Sequence, residues 1–165
     1  MTSALASLLD SNQRKDVAMG LADPALAERL VEALNENEEF VAESRWFDGS
    51  ILLESGADRL WLKVYRGRVI DHLEFVPPFG YTFKVSGSPE AWQLLQSGER
   101  TFTDLATPGS RHCSSLEEIQ AGAGGYRPPE IAIEGNGFEA GRMHLAILTL
   151  TGVLTQVSNR EAVGA

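Results

Sequence analysis

Two histidines stand beside groups that could share a proton with them. His112 and Cys113 are neighbours, and a thiolate next to an imidazole is a pair that can activate a nucleophile. Adjacent residues in a loop seldom aim at each other, so the same pair also reads as a half-buried bystander. His72 and Glu74 are separated by one residue. On a strand they share a face with Ile70, opposite Val69, Asp71, Leu73 and Phe75. If that face meets solvent, both are polar surface. If helices cover it, His72 and Glu74 are proton-transfer groups in an apolar pocket. Arg142 and His144 open the last helix and read as rim or capping residues.

Stronger catalytic signatures are missing from the sequence. It has no G-x-S-x-G elbow, no Walker loop and no His/Cys set at metal spacing. The run Gly122-Ala123-Gly124-Gly125 lacks the Lys-Ser/Thr of a phosphate loop and reads as plain connection. No metal or cofactor is called for.

The elements that would position these residues follow from periodicity and punctuation. Residues 1–20 carry only a weak helical pattern, a tail or loosely packed helix, and residues 21–165 read as a single domain. Asp23-Pro24 is an N-cap with proline at the first helical position, and Leu26, Leu30, Ala33 and Leu34 mark one face. From Phe40 the period changes to two: Phe40, Ala42 and Trp46, then Leu60, Leu62 and Val64, then Tyr81, Phe83 and Val85. Turn signals at Asp48-Gly49, Ser55-Gly56, Arg66-Gly67 and Pro77-Pro78-Phe79-Gly80 separate these runs, which predicts an antiparallel meander of about five strands.

Beyond Val85 the helical period returns. Ser88-Pro89-Glu90 caps a helix carrying Ala91, Trp92, Leu94 and Leu95, and Gly98 stops it. A short helix fits 101–106. The stretch 107–129, rich in Gly, Ser and Pro, is long for a connection and reads as a lid or a mobile insertion. A strand at Ile131 to Ile133 and a turn at Gly135 to Gly137 lead into a helix from Phe138, with Met143, Ile147, Leu150 and Leu154 on one stripe and Leu145 and Leu148 opposite. A strand over His144 to Leu150 is the alternative. A helix apolar on most sides must be covered on more than one of them.

Composition limits the partners. With 165 residues, 43% of them hydrophobic, the chain can bury a sizeable core. The formal net charge of -9 and pI near 4.8 argue against nucleic acid and against stable docking on anionic lipid. The run from Met143 to Leu154 is shorter than the roughly 20 apolar residues a span needs. Without a basic flank or secretory leader, and with one cysteine, these features predict a soluble, cytoplasmic protein with no stable membrane insertion.

The order of the pieces resembles the sterol carrier protein type two family of lipid-transfer domains. The resemblance is carried by the meander, then Val85-Ser86-Gly87-Ser88 leading into Trp92-Gln93-Leu94-Leu95-Gln96-Ser97-Gly98, Phe102-Thr103-Asp104-Leu105, and the step Ile131-Ala132-Ile133-Glu134-Gly135-Asn136 before an apolar helix. It covers 26–154. It implies an α+β fold, a mostly antiparallel sheet of five to six strands covered on one face by helices, with an internal apolar tunnel for a fatty acyl chain, acyl-CoA or sterol-like molecule. The wall residues expected of such a tunnel are Trp61, Phe75, Phe83, Trp92, Leu95, Leu105, Ile147 and Leu150. A large residue at Ile147 would then fill empty volume and block binding with little loss of stability. The 107–129 stretch and the Pro77-Pro78 corner depart from the family pattern. Two rivals share the same fold. One is a tailoring enzyme that uses His72, Glu74 or His112 in the cavity; the other is an accessory module that pairs with an enzyme or with a second copy of itself.

Overall fold

The computed structural model describes residues 20–107 and 129–164, with side chains as far as Asn159. Helix α1, Pro24–Glu36, begins where the Asp23 carboxylate accepts from the Ala25 N–H at 2.9 Å, and it buries Leu26, Ala27, Leu30 and Leu34. Asn37 closes α1 in an extended conformation and at once caps helix α2, Glu38–Ser44, its side chain accepting from Phe40 N–H. The strand expected from Phe40 is therefore a helix. Phe40 and Ser44 are the buried pair, four residues apart, and Glu38 and Glu39 face the positive end of the helix dipole. Three apolar residues at alternate positions were too few to outweigh a well-formed cap.

Three strands follow: β1 Asp48–Ser55, β2 Asp58–Tyr65 and β3 Arg68–Leu73. They pair antiparallel as a meander. Arg66 and Gly67 both have positive φ, 46° and 86°, as a two-residue hairpin of the favoured hand demands. Strand β4, Phe83–Gly87, then pairs parallel with β1. Helices α3, Pro89–Ser97, and α4, Phe102–Ala106, precede β5, Ile131–Gly135, which runs antiparallel to β4. The sheet order is β3-β2-β1-β4-β5. The fold is α+β, and one parallel step interrupts the expected meander.

That step has a consequence for one face of the sheet. Strand β3 lies at one edge and β4 beyond β1, so the connection 74–82 must cross β2 and β1. Helices occupy one face, and the connection passes over the other.

The helix-covered face carries Ile51, Leu53, Leu60, Leu62, Val64, Val69, Phe83, Val85 and Ile131, none more than 4% exposed. The closing segment is two helices, α5 Gly137–Arg142 and α6 His144–Gly164, broken at Met143. Helix α6 packs against α1, α2, α3 and α4, which is why it is apolar on several sides. The Thr149 and Thr151 hydroxyls turn back onto the helix, donating to the carbonyls of Leu145 and Ile147, while Thr155 Oγ1 reaches across to the Leu95 carbonyl of α3 at 2.8 Å. The helical reading of His144 to Leu150 is the one the chain adopts.

Candidate functional site

Six of the eight expected wall residues converge. Phe83 from β4, Trp92 and Leu95 from α3, Leu105 from α4, and Ile147 and Leu150 from α6 belong to one apolar cluster, each 0–2% exposed. Trp92 is the anchor between layers, since its indole N–H donates to the Glu54 carbonyl at 2.7 Å. Gly87 makes room for it: a Cβ there would lie 3.3 Å from the indole nitrogen and 2.9 Å from Ile131 Cγ1. Gly98, at φ 81°, turns the chain out of α3 in the left-handed conformation.

The other two stand elsewhere. Trp61 pairs with Leu52 on β1 and Leu73 on β3, and all three point to the face away from the helices. Trp61 and Leu52 are buried, 2% and 1% exposed, but outside the main cluster. Phe75 lies just past β3 and is 58% exposed. Alternation along each strand fixes which residues share a face. It does not say which strands carry their large residues outward.

A β-bulge decides His72. Val64 lies opposite Val69 and Lys63 opposite Asp71, so Ile70 is the extra residue. Val69 therefore enters the core while Asp71 and Leu73 face outward, which splits the face drawn through Val69, Asp71 and Leu73. His72, opposite Leu62, falls on the helix-covered side at the edge strand and is half-buried, while Glu74 is exposed. His112, Cys113 and the glycine run lie outside the described residues, as does most of 107–129. Among the described residues no group of three or more His, Cys, Asp or Glu is placed to hold a metal ion. No helix there is long and apolar enough to cross a membrane.

The outward face holds what the sequence left unread. Pro77-Pro78-Phe79-Gly80 forms a turn closed by Gly80 N–H to Pro77 O at 2.9 Å, with Gly80 at φ 74°. The turn lies on Trp61, whose indole N–H donates to Gly80 O at 3.2 Å while the Phe79 ring meets it edge-on at 5.7 Å. Beside it opens a cleft of about 400 Å³ lined by Gly49, Ser50, Trp61, Lys63, Phe79, Gly80, Tyr81 and Thr82. The only hint in the sequence was the Pro-Pro corner.

Next to the cleft runs a charged row. Glu54 pairs with Arg59 at 3.2 Å and Lys84 at 3.7 Å, and Lys84 reaches Glu134 at 3.2 Å. The hydrogen bond that the Lys84 ammonium donates to Glu134, joined by the charges of Glu54 and Tyr81, holds its pKa above the ordinary value against a smaller cost of burial. At the far end of the helical layer, the Arg142 guanidinium stacks 3.8 Å from the Trp46 ring centroid and 5.6 Å from that of Phe138. Arg142 is thus a stacked rim residue, and His144 is exposed.

No family model and no curated protein matches the chain. Solved structures do. The protein is similar to a crystal structure of sterol carrier protein 2 with a TM-score of 0.55 and 16% identity, covering 82% of this chain and 98% of that one. It is also similar to the solution structure of a conserved hypothetical protein of Thermus thermophilus, titled as a possible sterol carrier protein. There the TM-score is 0.54 with 16% identity, over 84% of this chain and 90% of that one. The chain has the sterol carrier protein 2 fold.

Proposed function

We propose that this protein binds and carries a hydrophobic small molecule or lipid, a fatty acyl chain, acyl-CoA or sterol-like molecule, between its sheet and its helical layer. The observation that carries the reading is the convergence of Phe83, Trp92, Leu95, Leu105, Ile147 and Leu150, from one strand and three helices, in one apolar cluster. The fold agrees with it, since a solved example is titled sterol carrier protein 2. Each of the six is at most 2% exposed, so the ligand enters by parting the two layers. It then replaces apolar contacts with apolar contacts, an exchange that leaves little surface newly wet.

Native mass spectrometry of the purified protein, followed by titration of the delipidated chain with a dansyl fatty acid, tests this. A retained lipid, or saturable one-to-one binding, is expected. The same spectra read whether the chain pairs with a second copy. A chain that retains nothing and binds neither fatty acid nor sterol probe saturably overturns the carrier reading.

A further inference from the structure

The cleft over β1 and β2 lies on the face of the sheet opposite the helices, so it is separate from the interior described above. Its walls are chemically specific. Trp61 closes the back. Phe79 is 78% exposed and Tyr81 36% exposed, and the Phe79 ring is braced edge-on against Trp61 at 5.7 Å. An aromatic side chain fixed in position with most of its surface uncovered has contact area to offer a ligand at little entropic cost. The volume lies within the range of small-molecule sites and is too small for a docking helix.

Charge narrows the ligand further. Lys63 is the cation of the cleft lining, on a chain whose formal net charge is -9. It is paired at 2.8 Å with Asp48, whose side chain is 65% exposed. A pair this open to water exchanges readily, so a ligand anion can take the place of the Asp48 carboxylate.

We propose that this cleft is a second binding site, taking a planar aromatic carboxylate. The ring packs against Phe79 and Tyr81, and the carboxylate accepts from Lys63 Nζ. The site needs no opening of the helical layer and does not depend on whether that layer holds a lipid.

The test uses 2-naphthoate and its neutral analogue 2-naphthalenemethanol, followed by ¹H–¹⁵N correlation of the full chain. The indole N–H signals of Trp61 and Trp92 report the two faces of the sheet. Saturable shifts at Trp61 and Gly80, with Trp92 unmoved, are expected. Phe79→Ala, at an exposed position, should weaken both probes by roughly two- to tenfold. Lys63→Gln should weaken only the carboxylate, by roughly two- to fivefold, and Asp48→Asn should strengthen it. Shifts centred on Trp92, an affinity for naphthoate indifferent to Phe79→Ala, or no saturable shift at Trp61 would overturn the proposal. None of these outcomes touches fatty-acid binding in the interior, which the dansyl titration reads independently.

Discussion

Replacing Ile147 by alanine and, separately, by tryptophan asks whether the interior is a standing space or a closed one. Ile147 is 1% exposed, on a helix that packs against α1, α2, α3, α4 and α5. Its carbonyl accepts from Thr151 Oγ1 at 3.0 Å. Truncation in such a site costs about 2–5 kcal/mol, because the surroundings refill the void only in part. Overpacking costs about 1–3 kcal/mol. For a chain of 165 residues, each kcal/mol moves the melting temperature by roughly 2–4 °C. Ile147→Ala should therefore melt about 4–20 °C lower, and Ile147→Trp about 2–12 °C lower. Closed walls thus change what tryptophan is expected to do: it strains the packing, where a standing tunnel would have accepted it. Thermal melts by circular dichroism measure the stabilities, and dansyl fatty acid titrations well below each melting temperature measure binding. Ile147→Trp should weaken binding, since the indole blocks the parting of the layers. A tryptophan variant as stable as the parent that no longer binds the probe would refute the closed-wall argument and establish a preformed tunnel.

Trp92→Phe removes the indole donor from the Glu54 carbonyl and should cost about 1–3 kcal/mol, read as a shifted urea midpoint with unchanged slope; a neutral result would mean that the bond does not join the layers. Trp61→Phe loses the bond to Gly80 and should speed amide exchange at Gly80 while leaving that of α6 unchanged; equal acceleration in both would count against an independently held turn. Lys84 titrates higher when folded than its ordinary value of 10.5, first through the Glu134 hydrogen bond. Its contribution is therefore full below that value and fades as pH rises through the folded one. Glu134→Gln should flatten the alkaline loss of stability, and an unchanged alkaline limb in urea titrations would refute the pairing. Gly49→Ala should destabilise the β1 end of the sheet, where Thr82 Oγ1 and Phe47 leave no room for a methyl group; an unaltered melting temperature would contradict that packing.

Much of the chain was legible because its signals are local. Asp23-Pro24, Ser88-Pro89 and Gly98 mark helix ends through hydrogen bonds and backbone angles that depend on a few neighbouring residues. The alternation in Leu60 to Val64 names the core face of β2 for the same reason. Non-local features were hidden. Phe40 to Trp46 has the spacing of a short strand, and only Asn37, serving two helices at once, turns it into α2. The bulge that sends Val69 inward and Leu73 outward depends on the register of β3 against β2. The parallel pairing of β1 with β4 is a choice among strands far apart in sequence. Once made, it forces 74–82 across the outer face and brings Trp61, Phe79 and Lys63 together. By itself the sequence determined most of the element ends, the acidic charge and the apolar character of the closing helix, each a property of neighbours along the chain. Which side of the sheet a tryptophan faces, and what lies over it, only the tertiary structure decided, because side chains distant in sequence become neighbours only when the strands pair.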